Sequence, residues 1–105
     1  MKRVIRSNDN YSQEIRDAYS KLIDLANSGK KFEEGKQICR VAKMVLDGGY
    51  STDIVDEYLA GCDWLYFPAI LRGFVEEAGD DSALISKFGI DKAFEALDDL
   101  DKTNE

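Results

Sequence analysis

The sequence predicts an all-α fold: a compact single-domain bundle of about five or six helices behind a short N-terminal arm or strand. Three observations predict it. Apolar residues recur three and four positions apart along most of the 105-residue chain, the spacing that lines one face of an α-helix. Short glycine- or serine-bearing breaks separate these stretches, as suits neighbouring helices in a bundle. One proline and eight glycines leave long segments free of helix breakers. With 44% hydrophobic residues the chain has room for one domain around one core.

Residues 1–8 read as an arm, because a lone strand would have no sheet to join. A first helix is expected from about Asp9 to Asn27, with Tyr11, Ile15, Ala18, Leu22 and Leu25 on its inner face. Gly29 supplies the stop. A second helix covers Phe32 to Asp47. Ile38, Val41, Ala42 and Val45 face inward, and Glu33, Lys36, Arg40, Lys43 and Asp47 face outward. Gly48-Gly49 ends it. Ser51 or Thr52 then caps a short third helix, with Asp53 favourable in its first turn; Ile54, Val55, Tyr58 and Leu59 point inward, and Gly61 closes it.

The run Trp64 to Leu71 is the apolar centre of the chain. Proline suits the first turn of a helix and disrupts its interior, so a fourth helix starts either near Pro68 or, kinked, at Asp63, and ends near Gly79. Apolar on nearly all sides, it is expected to be the most buried element. Asp80 or Asp81 caps a fifth helix through Phe88, which Gly89 stops. The last helix, about Ile90 to Leu100, places Ile90, Ala93, Phe94, Leu97 and Leu100 inward. Its acidic end opposes the helix dipole, so residues 98–105 are expected to fray.

The chain lacks histidine altogether, which removes the commonest proton-transfer group near neutral pH and every Ser-His or Cys-His nucleophile pair. Two cysteines, Cys39 and Cys62, are too few for a closed zinc site. In apolar surroundings they read as reduced thiols. No phosphate-binding glycine loop occurs. These gaps point away from an enzyme, and no cofactor or metal is expected. No apolar run approaches the length of a membrane span, and the basic opening is not followed by a signal-peptide core. A cytoplasmic protein is the expectation.

Charge is the most informative feature. The net charge is −7, with ten Lys/Arg against six Asp/Glu in residues 1–46, and four against fifteen in residues 47–105. Such asymmetry points toward charged partners, or toward attraction between the halves. The acidic residues Asp53, Asp56, Glu57, Glu76, Glu77, Asp80 and Asp81 cluster around two helix ends. Carboxylates fixed on rigid helices can imitate a nucleic-acid backbone and steer the chain to a basic surface of a protein partner. In size and charge the chain is similar to small acidic inhibitors made by phages and mobile elements, although no motif carries that similarity. The sequence therefore leads to a non-catalytic protein–protein interaction module.

The alternative is a helix-turn-helix DNA-binding regulator, built from residues 38–59 and acting as a dimer. Its reading helix, however, would carry Asp53, Asp56 and Glu57 and no Lys or Arg, where phosphate contact needs positive charge. Lys36, Arg40 and Lys43, with Lys30 and Lys31 nearby, read first as the solvated face of a bundle helix. Tyr50, Trp64, Tyr66 and Phe67 read first as core.

Overall fold

Ser12 starts the first helix of the bundle: its side chain accepts a hydrogen bond from Ile15 N, satisfying one of the free amides at a helix N-terminus. A computed structural model describes residues 11–63 and 65–103, with side chains as far as Asp98. Among these residues lie six helices, α1 (Gln13–Asn27), α2 (Lys31–Asp47), α3 (Asp53–Ala60), α4 (Phe67–Ala78), α5 (Ser82–Lys87) and α6 (Ile90–Thr103). Among the described residues there is no strand. The proposed arm, residues 1–8, lies outside them.

α1 begins at Gln13 rather than at Asp9, since Tyr11 is held out of the helix. Its ring is buried against Tyr50, its hydroxyl donates to Ser51 O at 2.9 Å, and its carbonyl accepts from the Arg16 guanidinium. α1 ends at Asn27, and Gly29 two residues on turns the chain with a φ of 75°, costly for any residue with a Cβ.

α2 is the axis of the molecule. Ile38, Val41, Ala42 and Val45 are completely buried, as their spacing predicts. Against it lies α1, tied by Gln37 Nε2 donating to Ala18 O at 3.0 Å. On another side α4 crosses very closely. A Cβ placed on Gly35 would meet Ile70 O at 1.9 Å, and one on Gly73 would meet Phe32 O at 2.0 Å. Only glycine lets the two backbones approach this far.

α4 starts at Phe67 with Pro68 in its first turn. Before it, Asp63 closes a turn: its carbonyl accepts from Tyr66 N and Phe67 N, and its Oδ1 from Leu65 N at 2.9 Å. The expectation of maximal burial here is corrected by that turn, which holds Leu65 and Tyr66 75% and 44% exposed. Trp64 lies outside the described residues. α2, with Gly35, Gln37 and Cys39 also enclosed, is the more buried helix. Within α4, Ile70, Leu71 and Phe74 fill the core, and Phe74 meets Phe88 edge-on.

Asp81 caps α5 by accepting from Leu84 N at 3.0 Å. Thr52 occupies the cap position of α3, but its hydroxyl donates to Asp56 instead, while Ser51 Oγ accepts from Asp53 N. α6 runs to Thr103, past the expected end near Leu100, whose side chain lies outside those described. An adverse dipole interaction of about 0.3–1 kcal/mol does not halt a helix already nucleated by Ile90, Ala93, Phe94 and Leu97 packing on the core. No helix among the described residues is long and apolar enough to cross a membrane.

Candidate functional site

The seven acidic residues singled out by the sequence fall into two settings. Asp53, Asp56 and Glu57 sit three and four apart on the exposed side of α3, opposite the buried Ile54, Val55 and Tyr58. Packing of that apolar side fixes which way the carboxylates face. Asp56 is steadied further by the Thr52 hydroxyl at 3.0 Å.

Glu76, Glu77, Asp80 and Asp81 belong to the α4–α5 corner, where basic side chains of α2 reach across. Arg40 pairs with Glu77 at 3.2 Å, and Lys43 donates to Glu77 O at 2.9 Å. Lys43 and Lys87 line a shallow hollow together with Asp47 and Asp81. The negative charge of this corner is thus partly offset. The basic stripe of α2 is also explained: Arg40 and Lys43 pin α2 to α4, and Lys36 lies over the Phe32 ring at 5.8 Å.

A second site was not legible in the charge pattern. Between α1, α2, α3 and the start of α4 lies a hollow of about 440 Å³. Tyr19 and Ile23 line it from α1, Lys31 and Glu34 from α2, and Tyr58 from α3. Asp63, Tyr66 and Ile70 complete its rim and wall.

Glu34 is the chemical centre of this hollow. It is 3% exposed, which is rare for a carboxylate without partners. Tyr58 donates its hydroxyl proton to Oε2 at 2.5 Å. Oε1 faces the Lys31 ammonium at 3.2 Å as an ion pair, yet accepts no hydrogen bond of proper geometry. Lys31 also donates to Ala26 O at 3.3 Å and stands 4.9 Å from the centre of the Tyr66 ring. Tyr19 meets Tyr58 edge-on, with ring centroids 6.0 Å apart. Burial, and then the bond and charge of Glu34, push the Tyr58 phenol well above its ordinary pKa. It therefore stays a donor at neutral pH.

Local sequence explains the placement. Glu33 and Glu34 both occupy the first turn of α2, where the helix dipole favours negative charge. Only Glu34 lies beside Gly35, on the face carried inward by the α4 crossing. The two cysteines are free thiols. Cys39 is buried, and burial pushes it up to about 11. Cys62 borders the hollow and donates to Tyr58 O at 3.3 Å. Among the described residues, no group of three or more Cys, Asp or Glu is arranged to hold a metal ion. Compared with protein families, characterised proteins and solved structures, the chain matches none.

Proposed function

We propose that this chain is a non-catalytic protein-binding module that presents an acidic helix face to the basic, nucleic-acid-binding surface of a partner protein. The observation that carries this reading is the outer side of α3. Asp53, Asp56 and Glu57 all lie there, and the helix has no Lys or Arg. An eight-residue helix locked by three buried side chains holds its charges in fixed relative positions. That is what distinguishes a template for recognition from acidity that merely keeps a protein soluble. The same face disfavours contact with DNA itself, since it would set carboxylates against phosphates. A small acidic inhibitor of phage or mobile-element type is the sharpest form of the proposal.

The test combines capture with competition. Immobilised chain is exposed to extract with and without added duplex DNA, and a captured protein is then titrated at several salt concentrations. A partner that DNA displaces, whose affinity falls with salt and is lost in the Asp53→Asn/Asp56→Asn/Glu57→Gln variant, supports the reading. Binding that is indifferent to salt, to DNA and to the triple substitution overturns it.

A further inference from the structure

The hollow beside Glu34 is unrelated to the α3 acidic face and holds a different chemistry. We propose that it is a binding site for a primary alkylammonium group, a protonated amine on an apolar stem, which takes the place of the Lys31 ammonium beside Glu34.

Four observations converge on this ligand. The first is charge: Glu34 and Asp63 supply two carboxylates against the single ammonium of Lys31, so anions are disfavoured and a cation is drawn in. The second is the buried acceptor. Oε1 of Glu34 is enclosed, and the Lys31 ammonium faces it at 3.2 Å as an ion pair without a well-aligned hydrogen bond. A primary ammonium entering along the hollow has three N–H donors with which to meet it.

The third is the wall. Tyr19 and Tyr66 offer aromatic rings, which attract cations, and Ile23 and Ala26 offer apolar surface for a stem. At about 440 Å³ the space lies in the range of small-ligand pockets.

The fourth is Lys31 itself. Its ammonium already sits between the Glu34 carboxylate and the Tyr66 ring, so the chain's own side chain demonstrates the chemistry that the site accepts. Yet Lys31 is the first residue of α2, where the helix dipole opposes positive charge. Its side chain is 23% exposed and, besides facing Glu34, donates to Ala26 O at 3.3 Å. In this proposal it is an internal occupant that an entering amine displaces.

Two sources share this chemistry, a free amine and a lysine side chain of a partner protein. The experiment uses n-butylammonium, n-butanol, butyrate and the capped tripeptide acetyl-Ala-Lys-Ala-amide, each titrated at constant ionic strength because the chain is acidic. Tyrosine ring resonances report site occupancy. Butylammonium should perturb Tyr19, Tyr58 and Tyr66 saturably, bind about tenfold tighter than butanol, and leave butyrate without effect. Glu34→Gln should weaken it about tenfold, and Tyr66→Ala about threefold. Lys31→Met should tighten it about fivefold by removing the internal competitor. Should Lys31→Met prove unstable, butylammonium should raise its melting temperature more than that of the native chain.

Tighter binding of the tripeptide than of butylammonium assigns the source to a partner's lysine; the reverse order assigns it to a free amine. The α3 triple variant should bind butylammonium unchanged, which separates this site from the acidic-face reading. Equal binding of butanol and butylammonium overturns the proposal. So does binding that neither Glu34→Gln nor Lys31→Met alters, since that would mark diffuse attraction to an acidic surface.

Discussion

Replacing Gly35 by alanine sets two well-known effects against each other, and the sign of the outcome decides between them. In an open helix interior, alanine is more stable than glycine by about 1 kcal/mol. In this molecule the new Cβ would lie 1.9 Å from Ile70 O and 2.7 Å from Ile70 C. Real Cβ atoms essentially never come within 3.0 Å of another heavy atom, so α2 and α4 would have to part by roughly 1 Å. The obstacle is a carbonyl group within a helix, which cannot rotate aside as a side chain would.

Overpacking a core whose side chains can yield costs about 1–3 kcal/mol. Here the upper end applies, and a gap of that size also forfeits a quarter to a half of the dispersion energy of each separated contact, so about 4 kcal/mol is the gross penalty. Subtracting the helix-propensity gain leaves a loss of about 3 kcal/mol. For a domain of this size that lowers the melting temperature by about 15 °C, out of a total stability of about 5–15 kcal/mol. Urea unfolding followed by circular dichroism measures it. Gly73→Ala, whose Cβ would stand 2.0 Å from Phe32 O, should cost a similar amount. The double variant should cost less than the sum, because helices already parted admit the second methyl more easily. A Gly35→Ala protein as stable as the native one, or more so, would refute the close crossing.

Three further outcomes are expected. Tyr58→Phe leaves Glu34 Oε2 without its donor, and the loss of a hydrogen bond to a charged acceptor should cost about 1.5–3 kcal/mol in the same assay. Asp81→Ala removes the side-chain cap of α5 and should cost about 1 kcal/mol, whereas Asp80→Ala, one residue before it, should be nearly neutral. Alkaline pH should destabilise the fold: the folded pKa of Cys39 is raised above its unfolded value of 9.0, so its contribution is whole below pH 9 and is lost as pH rises toward about 11. Between pH 9 and 10 the decline should approach about 1 kcal/mol per pH unit and be absent from Cys39→Ala. Tyr58, raised for the same reason, extends the decline above pH 10.

The parts of this fold that the sequence announces are those that depend on one helix at a time. The spacing of Ile38, Val41, Ala42 and Val45 identifies the buried face of α2 without reference to any neighbour, and all four are fully buried. Glycine stops behave likewise: Gly29, Gly49, Gly79 and Gly89 all take positive φ. What could not be read depends on pairs of helices. Glu34 follows Glu33 in a charged first turn, and nothing local says which one turns inward. Its burial requires α3 to bring Tyr58 alongside, a contact 24 residues away. The misjudged burial of Leu65 and Tyr66 has the same origin. An apolar run looks like core, but the Asp63 turn, set by two local hydrogen bonds to its carbonyl, leaves Leu65 and Tyr66 exposed. The one available signal for the hidden site was glycine placed inside a helix. Gly35 and Gly73 each weaken a helix by about 1 kcal/mol relative to alanine, and such positions call for a packing reason.

That packing reason connects the fold to the hollow. Ile70 presents its carbonyl to Gly35 and lines the cavity that Glu34 centres, and Tyr66, the cap residue just before α4, stands four positions earlier. Glu34 in turn is the residue immediately preceding Gly35. The depth at which α4 meets α2 therefore sets how far the Tyr66 ring stands from the carboxylate, with Lys31 held between them at 4.9 Å from the ring and 3.2 Å from Oε1. Widening the crossing by roughly 1 Å would be felt at the site before the helices lost their structure, since such a displacement is a large fraction of either distance. A Gly35→Ala protein that remains folded should consequently show altered Tyr66 and Tyr58 ring environments while keeping its helical content. The close approach of Gly35 to Ile70 and of Gly73 to Phe32 is thus what shapes the most chemically distinctive place in the molecule.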